Sequence, residues 1–263
     1  MLLIKNLPFN NVVANGVATV SLPIGMSYNK IILALGGTFT KSMITDIKVR
    51  LNGKVVFQNT GARLDLQNTY RGYAVSASFL EIDFTEARAK LMAEQYLGNL
   101  NTAQGVSSLT VEVTIAGATA PTLDSYSELG PPAPLGIIAK QILFPVSFAG
   151  AGKFPLKIID VANRGAIIKR VNFAHGGNLS ALEVKKNGIV IHDNIPTAVN
   201  AFWLLDYLKT QQTNLYTYDP CADNNYANAV KTIDMISLEF NLTLGAADTV
   251  TAVLETLDTL GNM

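Results

Sequence analysis

Apolar and polar positions alternate along most of this chain, in short runs. Leu80, Ile82 and Phe84 alternate with Glu81 and Asp83. Leu109, Val111, Val113 and Ile115 alternate with Thr110, Glu112 and Thr114, and Leu238, Phe240, Leu242 and Leu244 with Glu239, Asn241 and Thr243. A period of two places every second side chain on one face, the mark of a half-buried strand. Glycine and proline break the runs: Pro23-Ile24-Gly25 follows a strand at 17–22, and Gly36-Gly37 closes one at 30–35.

Asn52-Gly53 and Asn187-Gly188 each stand between two such runs. Asn-Gly there predicts a type I′ hairpin, because both central residues need positive φ. Other elements repeat in the same order. The strand and proline at 153–159 match the early strand, and a run at 169–174 leads to Gly176-Gly177 as 30–35 leads to Gly36-Gly37. In this reading 80–84 aligns with 238–242, and 250–257 closes the second half. The expectation is a duplicated β-domain: residues 1–120, a Pro-rich linker over 121–136, and residues 137–263.

Three helices are predicted. Thr85 caps one through Leu97 with Gly98 as its stop, Thr197 caps another through about Lys209, and a short one runs from Arg63 to Arg71. Ala198, Phe202, Leu205 and Leu208 are expected to face inward. The helices are inserts between strands, which disfavours a doubly wound parallel sheet. Two halves of many short strands suit β-sandwiches, and the jelly-roll type serves capsids, lectins and cupins alike.

Composition narrows function more than fold. Of 263 residues, 49% are hydrophobic and only 15% charged, which excludes a disordered chain and favours surface buried against partners. The 20 basic and 20 acidic residues cancel, so no electrostatic case exists for specific nucleic-acid recognition. Lone Cys221 fits folding in a reducing cytoplasm, and the first residues are too short an apolar run for a secretory signal. The glycosylation patterns at Asn178 and Asn241 then read as chance matches.

Catalytic vocabulary is sparse. No catalytic, cofactor-binding or metal-ligating residue is predicted. His175 and His192 lack metal-ligand spacing and read as strand-end residues rather than a bicupin site. Cys221 reads as a loop thiol. Asp219, Asp223 and Asn224 around it offer the hard oxygens that a structural calcium takes, with an acidic turn as the plainer reading. Lys153, Lys157, Lys169, Arg170, Lys185 and Lys186 bias the second half towards an anionic surface, with a solvated strand face as the simpler account. Trp203 with Phe202 reads as a core or subunit anchor. Tyr216, Tyr218 and Tyr226 are the candidates for a sugar-stacking platform, which leaves a tandem carbohydrate-binding or spike protein as the alternative function.

The block 11–16, then Ser21-Leu22-Pro23-Ile24-Gly25 and Tyr28, then 47–54 and Asn68-Thr69-Tyr70-Arg71, resembles the major capsid proteins of corticovirus-like tailless, membrane-containing bacteriophages. The resemblance implies an all-β double jelly roll with a few inserted helices, two tandem eight-stranded antiparallel sandwiches, and no enzymatic activity. It implies a homotrimer forming pseudo-hexagonal capsomers of an icosahedral shell. It also implies neighbouring capsomers, a separate penton protein, an underlying membrane, and a place in the virion after synthesis in the host cytoplasm.

Overall fold

The computed structural model describes residues 1–157 and 165–262, and Ile158 and Ile159 of the strand expected over 153–159 lie outside them. It has two units. One holds Met1–Thr69, Tyr73–Ile142 and the residues from Thr259 onward; the other holds Tyr70–Gly72 and Leu143–Asp258.

The first unit is built from β1 (Leu2–Lys5), β2 (Gly16–Leu22), β3 (Ser27–Gly37), β4 (Ile44–Leu51), β5 (Lys54–Asn59), α1 (Gly61–Tyr70), β6 (Phe79–Asp83), β7 (Leu100–Asn101), β8 (Leu109–Ile115) and β9 (Pro121–Gly130). One sheet runs β1-β9-β3-β6, with β7 also on β3, and the other runs β2-β8-β4-β5. All their pairings are antiparallel. The alternating residues read from the sequence form one core: Ile31 and Leu33 of β3, Ile47 and Val49 of β4, and Val111 and Val113 of β8 are all fully buried in it.

The second unit repeats this plan strand for strand. Its elements are β10 (Ile137–Phe148, whose residues up to Ile142 count with the first unit), β11 (Gly152–Lys157), β12 (Ile167–Ala174), β13 (Leu179–Lys186), β14 (Ile189–Pro196), α2 (Thr197–Leu205), β15 (Leu215–Tyr218), β16 (Val230–Lys231), β17 (Leu238–Leu244) and β18 (Asp248–Thr259, whose last residue also counts with the first). The sheets run β10-β18-β12-β15, with β16 on β12, and β11-β17-β13-β14. Each strand thus has the place of the one nine earlier, and each helix follows the fifth strand of its unit. Its core gathers Val171, Phe173, Val184, Phe240 and Leu242. Among the described residues each sandwich holds eight longer strands and one two-residue strand, the jelly-roll plan that the sequence pattern allowed.

The duplicated hairpins match in detail. Asn52 and Gly53 have φ of 51° and 79°, Asn187 and Gly188 of 53° and 78°, as a type I′ turn requires. Asn52 Oδ1 accepts from Ser107 N at 2.7 Å and its Nδ2 donates to Gly105 O at 2.9 Å. Asn187 Oδ1 accepts from Ile236 N at 2.7 Å and its Nδ2 donates to Asp234 O at 3.0 Å. Both hairpins carry the same bulge, where Val49 pairs with Phe57 and Arg50 with Val55, and Val184 with His192 and Lys185 with Val190. One extra residue, Val56 or Ile191, is the result.

Four expectations are corrected. The strand 80–84 is β6, whose counterpart is β15, while 238–244 is β17, the counterpart of β8. No α-helix follows Thr85; its N–H and hydroxyl both donate to Asp83 Oδ1, at 2.8 and 2.7 Å, and the chain continues through turns and a 3-10 turn at Met92–Glu94. Residues 121–130 of the expected linker are β9, paired along its length with β3; Pro121 is its first residue, where a missing N–H is tolerated. On α2, Asn200 and Leu204 are the buried positions, and Phe202, Leu205 and, beyond the helix, Leu208 are exposed.

Candidate assembly surface

The groups singled out for chemistry are each taken up by structure. His192 stands against the edges of Tyr216 and Tyr218. The Tyr216 hydroxyl donates to Ile195 O at 3.1 Å, which leaves its oxygen to accept from His192 Nε2 at 2.9 Å. Burial lowers the imidazole to about 4, so it is neutral at pH 7. His175 Nδ1 accepts from Gly177 N at 3.0 Å within its own turn, and burial lowers it too. No group of three or more His, Cys, Asp and Glu poised for a metal occurs among the described residues.

The loop around Cys221 is not open. Cys221 is buried. Asp219 Oδ2 accepts from Tyr70 at 2.9 Å and from Arg170 Nε at 3.3 Å, and its Oδ1 from Cys221 N at 3.0 Å. Asp223 accepts from Asn225 N and Asn224 from Lys209. A calcium ion on these three side chains would have to displace protein donors. Tyr216, Tyr218 and Tyr226 are all buried, so they form no sugar-stacking platform.

The structure brings together a charged cluster that the sequence reading missed. Arg170 is 2% exposed. Its Nη1 donates to Glu255 Oε2 at 2.8 Å and its Nη2 to the Tyr226 hydroxyl at 3.1 Å, in addition to the Asp219 contact. Arg71 donates to the same Glu255 oxygen, and Asn172 Nδ2 to the other at 2.8 Å. Two guanidinium groups thus meet two carboxylates away from water, the pairing that buried charge requires. Burial, with Asp219 beside it, holds the Tyr70 phenol well above its usual range, so it remains a donor.

The suspected basic face is neutralised locally. Lys153 and Lys185 both contact Glu183, at 2.9 and 3.0 Å, Lys157 contacts Glu239, and Lys186 contacts Asp234. The hydrogen bonds from Lys153 and Lys185 hold Glu183 down at about 2. Lys169 and Arg170, expected on a solvated face, are buried because β12 is covered on both sides. A cavity of about 560 Å³ in the first unit is lined by Asn29, Tyr96, Asn101 and Pro131 among others, and its lining carries no carboxylate, histidine or cysteine.

What the surface does offer is apolar area. Helix α2 exposes Val199, Phe202 and Leu205, and Trp203 lies edge-on to Tyr207 with ring centroids 5.2 Å apart. Strand β14 exposes Ile189, Val190 and Ile191, and β1 exposes Leu2 and Leu3. Clustered exposed apolar residues mark surfaces made for partners. Such a surface can bind and be buried; it carries no reacting group. No helix among the described residues is long and apolar enough to cross a membrane.

Comparison with known proteins agrees with this reading. Residues 3–130 match the viral coat protein P2 N-terminal domain, and residues 138–260 the P2 C-terminal domain. No curated protein sequence matches the chain. The fold is similar to the major capsid protein P2 from Bacteriophage PM2, with a TM-score of 0.92 at 19% identity, covering 100% of this chain and 99% of that one. It is similar to the MCP of STIV, the Sulfolobus Turreted Icosahedral Virus, with a TM-score of 0.73 at 14% identity over 98% and 96% of the two chains. The PBCV-1 virus capsid follows at 0.63 and 9% identity, over 98% and 94%. The resemblance to corticovirus-like major capsid proteins is borne out, and with it the double jelly roll and a structural, non-enzymatic role in the virion shell. Since the matched N- and C-terminal domains account for nearly all of its length, the chain belongs to the viral coat protein P2 family.

Proposed function

We propose that this coat protein assembles as a homotrimer whose three duplicated chains form a pseudo-hexagonal capsomer of an icosahedral bacteriophage shell. The observation that carries the reading is the strand-for-strand duplication. Two equivalent sandwiches per chain give a threefold ring six similar building units, so the ring can tile a lattice with sixfold neighbours. A pseudo-sixfold ring does not fit a fivefold vertex, so a separate penton protein fills those positions. The low charge and the exposed apolar residues of α2, β14 and β1 suit extensive burial between subunits. The resemblance adds a lipid membrane beneath the shell; co-flotation of purified protein with anionic vesicles tests for direct contact with one.

Absolute mass from light scattering on a sizing column tests the trimer. One chain is 28.2 kDa, so three weigh about 85 kDa. A species of that mass that persists on dilution is the expected result, and a strict monomer at all concentrations refutes it.

A further inference from the structure

The two bulged hairpins are equivalent in backbone and opposite in exposure. At the bulge, Val56 is 0% exposed and Ile191 is 44%. One residue after each turn, Lys54 stands where Ile189 is 69% exposed. In the first unit β5 is closed from outside its own sheet. Gln141, in the first residues of β10, donates to Gln58 O at 3.1 Å, and Lys54 Nζ donates to Leu260 O at 3.2 Å just past β18. Ile138 is wholly buried in the same core, with Ala139 and Leu260 packed against it. The cover over β5 is therefore the start of β10 and the residues after β18.

Equivalence identifies what is missing over β14. The strand in β10's place is β1, and the residues in the place of those after β18 are the ones after β9. Strand β1 is bare, with Leu2 52% and Leu3 65% exposed. An uncovered apolar edge is a liability unless something pairs with or covers it. Each chain thus carries one bare edge and one bare copy of the element that covers the equivalent edge.

From this we infer that β14 of one chain is covered by β1 of a second copy. The two surfaces differ, so the contact is head-to-tail and closes only as a ring. The inference rests on the trimer proposed above, with three such contacts per ring, and goes beyond it by naming the two elements that meet.

Cysteine cross-linking tests it on the intact protein. Leu3→Cys and Ile191→Cys are made singly and together; the native Cys221 is buried and does not interfere. Under mild oxidation the double variant should ladder to covalent trimers, and mixing the two single variants should give a cross-linked dimer. Leu2→Ser/Leu3→Ser and Ile189→Ser/Ile191→Ser should each convert the trimer to monomer, with far-UV circular dichroism unchanged because these side chains are exposed. A wild-type trimer that resists both serine variants and gives no Leu3→Cys to Ile191→Cys bond overturns this contact alone. Cross-links only between like positions also overturn it, since they require a symmetric face-to-face contact. A monomeric wild type overturns the trimer and this contact together.

Discussion

Arg170 is the side chain whose loss should cost the second unit most, and Arg170→Met is the cleanest way to remove it. Methionine keeps the apolar stem and deletes the donors to Asp219, Glu255 and Tyr226. Asp219 then keeps only neutral donors, Tyr70 and the Cys221 amide, while Glu255 keeps Arg71 and Asn172. Breaking a buried ion pair from one side costs about 3–5 kcal/mol, because the stranded charge has no water to turn to. For a unit of roughly a hundred residues that lowers the melting temperature by about 10–20 °C. Differential scanning calorimetry on the variant, with the wild type at equal concentration, reads the shift. Adding Asp219→Asn removes the stranded charge, so the double variant should recover about 1–3 kcal/mol relative to the sum of the singles. Melting of Arg170→Met within about 2 °C of wild type, with no coupling to Asp219→Asn, would refute the claim that this cluster is held together by its central cation.

Two further predictions follow from the hairpins and from His192. Asn52→Ala and Asn187→Ala should each cost about 2–3 kcal/mol in thermal melts, from two hydrogen bonds and a left-handed backbone, with Asn→Gly costing less; sharply unequal costs at the two sites would contradict their equivalence. The folded pKa of His192, about 4, lies below its unfolded value near 6.5, so it contributes stability above pH 6.5 that is lost as pH falls towards 4. NMR titration should show the ring neutral at pH 6, and His192→Gln should flatten this part of the stability profile; titration near 6.5 would refute the burial argument.

The legible part of the fold was local and repeated. Asn-Gly turns and two-residue periods identify hairpins and strands because both signals are carried by neighbours in sequence. Which strand is which is not local. The runs 80–84 and 238–242 share the same apolar and polar alternation, yet the first belongs to β6 and the second to β17, since half-buried strands share one pattern whatever their partner. Helix α2 is apolar on nearly every side, so its periodicity could not tell that Asn200 and Leu204 turn inward. At Thr85 a good cap residue lost to the Asp83 side chain two positions earlier, which took its N–H and hydroxyl into a turn. The Arg170 cluster joins residues as far apart as Arg71 and Glu255, and no spacing rule reaches across such a gap. Of the proposed contact between copies, low charge suggests only that such burial exists, whereas its proposed place rests on the difference in cover between β5 and β14.

The first unit's core needs Ile138, and its β5 edge needs Leu260, far along the sequence from both. The second unit in turn takes Tyr70–Gly72 from the first third of the sequence. A ribosome delivers these pieces in order, so the sandwich that begins first cannot be finished until Leu260, 206 positions after Lys54, has been made. Synthesis therefore does not yield one completed domain and then another. Both mature together once that stretch has emerged, and a chain lacking Leu260 leaves β5 without this part of its cover.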